Sequence, residues 1–381
     1  MSIQFLVPDY YDEFQCLADK CPYSCCKGWT IRVDKDSYDK YQQADGELGE
    51  VIRDAIESQE ECYNFKLIDG SCAMLDKQGL CRIQSGLGED FLCNTCISYP
   101  RAYKQYGKIM ENFLKLSCPE VARILLSHQE PITFLLTDEV EGNKKEESAE
   151  YWGRYNIITK VRSVLIDFIQ SGQGPLWKKI FMAVDMIDRI NQLEQDNQLE
   201  QSDNILNLYT DNVFIAQYAE MLNGFKGDHN ALLKFYLRYF EATSDGENIH
   251  TPYLVVYNEL RQDPVNFVTK MEGDFQVYWQ SLEIFQRNFF VYYIYAYFLD
   301  SIRSSDLMKT PSMLIWGLLI MKAQLFVKWK EQGGVVSEND VLMVISVYAR
   351  MLEHNSERSD SIYQALKGHG MASKDFLLSI L

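Results

Sequence analysis

The stretch Cys16–Trp29, CLADKCPYSCCKGW, places four cysteines within fourteen residues. All ten cysteines of the 381-residue chain lie at or before Cys118. How these thiols are read decides the fold of the first third. The choices are a disulfide frame, a metal site, a redox device or a buried apolar cluster. The opening residues, MSIQFLVPDYYDEFQC, carry neither a basic segment nor a long apolar segment of a secretory signal, so a cytoplasmic location is expected. Thiols stay reduced there, which disfavours the disulfide frame.

The spacing continues as Cys16-x4-Cys21-x3-Cys25-Cys26, then Cys62, Cys72-x8-Cys81-x11-Cys93-x2-Cys96, then Cys118. None of the five histidines falls inside this region. A site built here is therefore expected to be all thiolate, suited to zinc or to an iron–sulfur cluster. Paired CxxC spacing, usual for structural zinc, occurs only at Cys93/Cys96, whereas a four-iron cube accepts ligands from separate segments. Two sharper readings fail. The radical pattern CxxxCxxC begins at Cys21-x3-Cys25 but has Gly28 in its third place. A thioredoxin-like site needs a helix after its CxxC, and Pro100 disfavours one after Cys93–Cys96. Cys62 and Cys118 stand alone and read as small buried apolar residues.

Working outward, TIRVD (Thr30–Asp34) reads as a short strand. DSYDKYQQ reads as a helix capped by Asp36 or Ser37, and Gly70–Leu75 and Asp76–Ile83 as two extended pieces around a Lys-Gln-Gly turn. Residues 138–150 are charged and read as a linker. From Tyr151 the texture becomes helical. GPLWKKIFMAVDMIDRI puts Pro175 at the first helical position, with Leu176, Ile180, Val184 and Ile187 on one face. Thr251–Pro252 repeats the device. Ser337 caps a helix carrying Val341, Val344, Ile345, Tyr348 and Leu352. The apolar runs Asn288–Leu299 and Met313–Met321 fall short of the roughly 20 residues of a membrane span and read as core helices, so no membrane insertion is expected.

The expected fold class is mainly α: an irregular cysteine-rich unit with little β over residues 1–137, a linker over 138–150, and an α-helical region over 151–381, split near 243–250. No GxGxxG-type turn occurs between a strand and a helix, so no Rossmann fold is expected. Net charge is −17, which opposes phosphate and argues against a nucleic-acid partner. It suits a basic or lysine-bearing protein, or simply a soluble acidic surface.

The residues CPYSCCKGWTIRVDKDSYDKY and CAMLDKQGLCRIQSGLGEDFLCNTCISYPRAY resemble the flagellin lysine N-methylase (FliB-type) family, whose cysteine-rich N-terminal part is similar to zinc- or iron-chelating domains. FLVPDYYDEFQC matches the family's opening. Cys25, Cys26 and Trp29 match its CC-x-x-Trp element, Cys72, Leu75, Gly79, Leu80 and Cys81 its Gly-Leu-Cys turn, and Cys96, Tyr99, Pro100 and Arg101 its Cys-x-x-Tyr-Pro-Arg element. RNFFVYYIYAYF and YARMLEHN resemble two of its later helices. The resemblance implies methyl transfer from S-adenosylmethionine to flagellin lysines and a structural [4Fe-4S] cluster, with zinc as the alternative. It implies metal ligands among Cys21, Cys25, Cys26, Cys72, Cys81 and Cys96, ranked above Cys93. Methyl transfer needs a neutral amine in line with a sulfonium, and aromatic faces suit that cation. The donor pocket is therefore expected between the two regions, near Trp29, Tyr99, Arg101 and Tyr103. Asn288 and His354 read as satisfied core groups more readily than functional ones. The rival readings are a non-enzymatic cluster-binding module and an electron-transfer protein.

Overall fold

Ser2–Pro8 (SIQFLVP, β1) is apolar enough to enter a sheet. The computed structural model describes residues 2–59, 62–137, 140–143, 145–172, 174–244 and 251–381. In it β1 pairs in parallel with a strand distant in sequence, Gln4 opposite Ile109 and Leu6 opposite Glu111. That strand, Ile109–Leu114 (β3), forms a hairpin with Arg101–Tyr106 (β2). Gly107 turns the hairpin at φ +59°, and a Cβ there would come within 2.6 Å of the Trp152 ring. Phe134–Leu136 (β4) and Val140–Glu141 (β5) pair antiparallel with β1, completing a five-stranded sheet. Part of the expected 138–150 linker is therefore sheet. Its Ser148 caps the next helix by accepting from Tyr151 N.

The cysteine unit lies between β1 and β2 in sequence. It holds a three-stranded sheet of Arg32–Val33, Cys62–Phe65 and Ile56–Gln59, and a two-stranded one of Leu67–Ile68 with Ser71–Cys72. TIRVD contributes its strand as expected. The helix Lys35–Gln42 takes Asp34 as its cap, two or three positions before the expected Asp36 or Ser37, because the Asp34 carboxylate reaches both Ser37 N and Ser37 Oγ. Arg82–Ile83 is not extended: a helix runs Arg82–Leu87 from the cap position Cys81. A short helix, Asn94–Ser98, follows Cys93 and stops before Pro100, where a longer one is sterically barred.

The rest is helical, giving 63% helix and 11% strand and the mainly α class expected. The helices used below are Pro119–Ser127 (α1), Ala149–Gln170 (α2), Leu176–Gln195 (α3), His229–Thr243 (α4), Glu283–Tyr297 (α5), Lys309–Glu331 (α6), Glu338–Glu353 (α7), Ser356–Gly368 (α8) and Lys374–Ser379 (α9). Pro175 is the cap residue of α3 rather than its first residue, and Leu176, Ile180, Val184 and Ile187 are buried. Ser337 caps α7 by accepting from Asp340 N, and all five of its expected core residues are buried. Residues 245–250, where a split is expected, and the side chains of Thr251 and Pro252 lie outside the described residues.

Helix α6 has the length and composition to cross a membrane, but its apolar window is entirely buried within the protein. The helix packs closely on α7: a Cβ at Gly317 would stand 2.4 Å from the Tyr348 hydroxyl. A buried charged pair joins sheet and helices. Arg162 of α2 donates two 2.6 Å bonds to Glu111 of β3 and a third to the Tyr295 carbonyl of α5. Both side chains are about 95% buried.

Candidate functional site

The cysteines converge because short backbone links hold their segments together. Cys72 N donates to Cys26 O at 2.8 Å and Gly28 N to Gly70 O at 2.8 Å, so the CCKGW segment lies along the GSC segment. Asp76 accepts from Gln78 N and Leu80 N, making a tight turn that returns Cys81 to pair with Leu75. Thr95 Oγ1 donates to Arg32 O at 2.7 Å and Asn94 N to Asp34 Oδ2 at 2.9 Å, anchoring the Cys93–Cys96 turn.

Cys26, Cys72, Cys81, Cys93 and Cys96 all contribute to one small core with Ile31, Val33, Phe65 and Met74. Cys93 Sγ and Cys96 Sγ are 3.5 Å apart. Burial pushes the Cys72 thiol up to about 12, with the charges of Cys26, Cys81 and Cys93 adding to it. Cys26 goes the other way, down to about 7, because the Cys25 thiol, Ser24 and Arg350 favour its thiolate.

Cys21 and Cys25 face a different neighbourhood. Cys25 Sγ is 3.9 Å from Cys26 Sγ, but its other cysteine neighbours are Cys118 and Cys16. Cys21 Sγ donates to Tyr23 O. Cys118 is buried as expected, while Cys62 is exposed on its strand, where it meets solvent rather than the core. The donor set of the first group is soft and matches an all-thiolate site. Among the described residues, however, no three Cys, His, Asp or Glu side chains stand at the spacing of a single bound metal ion.

The cysteine unit is fastened to the helical region by α7. Arg350, 6% exposed, donates to Lys27 O at 2.6 Å, Ser24 O at 3.3 Å and Ser117 O at 3.4 Å, and covers the Tyr23 ring. One turn on, the His354 ring stacks at 4.5 Å from Trp29 and 5.9 Å from Tyr99. So an imidazole does reach the cysteine unit, from a residue far away in sequence. Its Nε2 bonds Ser117 Oγ at 2.8 Å, and Ser117 Oγ in turn meets Tyr99 OH at 3.2 Å. Trp29 Nε1 donates to Cys25 O at 2.7 Å. Burial, with Lys115 and Arg350 nearby, lowers His354 to about 3, so the ring is neutral at neutral pH. Glu353 accepts from Ser117 N at 3.0 Å, Leu116 N at 3.4 Å and Tyr292 OH. Burial raises its pKa.

Of the expected donor-pocket residues, Trp29 and Tyr99 come together, 5.9 Å apart. Arg101 and Tyr103 do not join them. Arg101, on β2, covers the Phe14 and Tyr11 rings, and Tyr103 is 67% exposed on the same strand. Asn288 is a satisfied core group, donating to Leu125 O and His128 O and accepting from Arg287. Glu353, Ser117 and Arg350 were not anticipated as seam residues. The one sequence signal was the YARMLEHN segment that carries Arg350, Glu353 and His354. Chemically, the seam offers a neutral imidazole, a tyrosine hydroxyl and a carboxylate, with its polar tips largely bonded to one another.

No solved structure matches the chain. A 127-residue stretch, 32% of this chain, is 35% identical to the flagellar biosynthetic protein FliU of Salmonella muenchen and covers 75% of that protein. It is also 35% identical over 127 residues to proteins named lysine-N-methylase in Salmonella typhimurium and Salmonella choleraesuis, but spans only 32% of their length. The FliB lysine N-methylase C-terminal domain matches residues 162–380, more than half of the chain and including α7 with its seam residues. On these grounds the chain belongs to the FliB family of protein-lysine N-methylases.

Proposed function

We propose that this protein transfers methyl groups from S-adenosylmethionine to lysine side chains of flagellin in the cytoplasm, and that its cysteine unit carries a structural [4Fe-4S] cluster. The observation that carries the reading is the FliB lysine N-methylase match over residues 162–380. A net charge of −17 favours a lysine-bearing partner, whose side chains carry the opposite sign.

The transfer requires a neutral amine, since a lysine ammonium with a pKa of about 10.4 has no lone pair. Once the proton has passed to a carboxylate or to water, the nitrogen lone pair forms the N–C bond. The C–S bond breaks, and its electron pair stays on sulfur as a neutral thioether. The protein's part is to exclude water, to lower the amine pKa by burial or a proton acceptor, and to hold nitrogen and methyl in line at about 3–3.5 Å.

For the cluster, Cys26, Cys72, Cys81 and Cys96 are the proposed ligands. These four belong to the small core, and Cys93 lies against Cys96. Cys21 and Cys25, which the family resemblance also implies, lie outside that small core, although Cys25 Sγ is 3.9 Å from Cys26 Sγ. When bound, the group would cross-link three loop segments whose own apolar surface is small. Iron and sulfide analysis of purified protein separates this from zinc.

Purified protein incubated with S-adenosylmethionine and flagellin tests the activity. Stepwise one-methyl mass increases on flagellin lysines are expected, and no increase with metal-loaded protein contradicts the reading.

A further inference from the structure

Four lysine or arginine side chains are buried among the described residues: Arg162, Lys179, Lys322 and Arg350. Three of them have a carboxylate to answer their charge. Arg162 meets Glu111, Lys322 meets Glu272, and Lys179 lies in the field of Glu283. Arg350, by contrast, bonds only carbonyl oxygens, those of Lys27, Ser24 and Ser117, and forms no ion pair among the described residues. Its Nε–H is buried and has no acceptor. Carbonyls satisfy donors but bring no opposite charge, and a buried charge without one is costly to keep.

The carboxylates on neighbouring elements are committed elsewhere. Glu353, one turn along α7, accepts from Ser117 N, Leu116 N and Tyr292 OH. Glu120, on the packed helix α1, accepts two bonds from Arg123.

What Arg350 does face is the thiol loop. Ser24 O and Lys27 O, at 3.3 and 2.6 Å from its Nη1, stand directly before and after the Cys25–Cys26 pair. Gly28 follows at φ +80°, and a Cβ on it would lie 3.6 Å from Arg350 Cδ, so the loop closes over the side chain. Cys26 and Cys21 both lie within reach of its charge. The loop belongs to the cysteine unit, whereas Arg350 belongs to the residues that match the methylase domain.

We propose that the Arg350 guanidinium is the counter-cation of the thiolate site, supplied to the cysteine unit by the methylase domain. The assignment rests on the cluster reading above. A cube held by four thiolates carries excess negative charge, and more of it after taking up an electron. A zinc ion held by four thiolates is an anion too. A fixed cation beside Cys26 lowers the cost of gathering thiolates in a small apolar core, and it favours the more negative state of the site. The free Nε–H leaves one donor for a ligand sulfur, a bond of the kind that tunes such sites. The cysteine unit then depends on α7 to hold its metal.

Full-length protein purified without oxygen tests this through its iron and sulfide content and through the midpoint potential of the cluster, followed by visible absorption. The potential serves as a gauge of local charge. Arg350→Gln removes the charge and keeps a donor. It is expected to lose most of its iron, and the remainder is expected to reduce at a lower potential than in the wild type. Arg350→Lys keeps the charge and is expected to retain more iron than Arg350→Gln, at a potential close to that of the wild type. Wild-type iron content with an unchanged potential in Arg350→Gln overturns the assignment. Equal loss of iron in the two variants also overturns it, since the residue would then act through its shape alone. A wild type that carries zinc instead of iron overturns the cluster but leaves the counter-cation to be decided by zinc retention in the same two variants. A wild type that carries neither metal overturns both.

Discussion

Arg162 and Glu111 meet in a bidentate pair where the sheet, α2 and α5 join, and both are nearly fully buried. Such a pair adds little net stability over an apolar substitute, but breaking it leaves an uncompensated charge. Glu111→Ala should therefore cost about 3–5 kcal/mol in urea unfolding. A loss within experimental error would mean that Arg162 finds another partner. His354 gives a pH signature. Its pKa is lowered to about 3 in the folded chain, against about 6.5 unfolded. The unfolded state then binds the extra proton first, so this contribution is intact above pH ~6.5 and is lost as pH falls toward ~3. His354→Phe should flatten the fall in melting temperature between neutral and mildly acidic pH, and an unchanged slope would show that the ring is not the source. Neither the Glu111 pairing nor the His354 stacking was legible in the sequence. Each is made by residues more than fifty positions apart, and periodicity reports only local neighbours.

At the scale of elements, the contact between α6 and α7 depends on a missing side chain. Gly317 faces the Tyr348 ring, so Gly317→Ala overpacks the contact and should destabilise by about 1–3 kcal/mol. Gly153 sits within α2 with open space around its would-be Cβ, and Gly153→Ala should stabilise by about 0.5–1 kcal/mol. Equal thermal shifts for the two would contradict the packing. Helices α3 and α7 were readable because their apolar residues repeat at helical spacing and their starts carry Pro175 and Ser337. Strands β1, β2 and β3 were not readable as a sheet, because β1 finds its partner about a hundred residues away and in parallel. The charged stretch around Val140–Glu141 hid an edge strand, since exposed edges tolerate charge and polarity reveals nothing about pairing there.

For the whole molecule, the cysteine unit is a small-core body pinned by Arg350 and the His354 stack to a large helical region. Its core is small, so its order should depend on a cross-link. Cys72→Ser and Cys81→Ser should each reduce the yield of soluble protein together with bound iron, whereas Cys62→Ser, on an exposed strand, should leave both unchanged. A well-folded Cys81→Ser protein lacking iron would contradict the structural role. The gathering of the thiols in one small unit was legible because all ten cysteines lie at or before Cys118. The place of Arg350 beside them was not, because 323 positions separate it from Lys27. The most direct test of the account uses S-adenosylmethionine bearing a deuterated methyl group, purified metal-loaded protein and flagellin, read by peptide mass spectrometry. The account predicts deuterated methyl groups on flagellin lysine side chains. Flagellin recovered without label, from protein shown to be folded and to bind the donor, would contradict it.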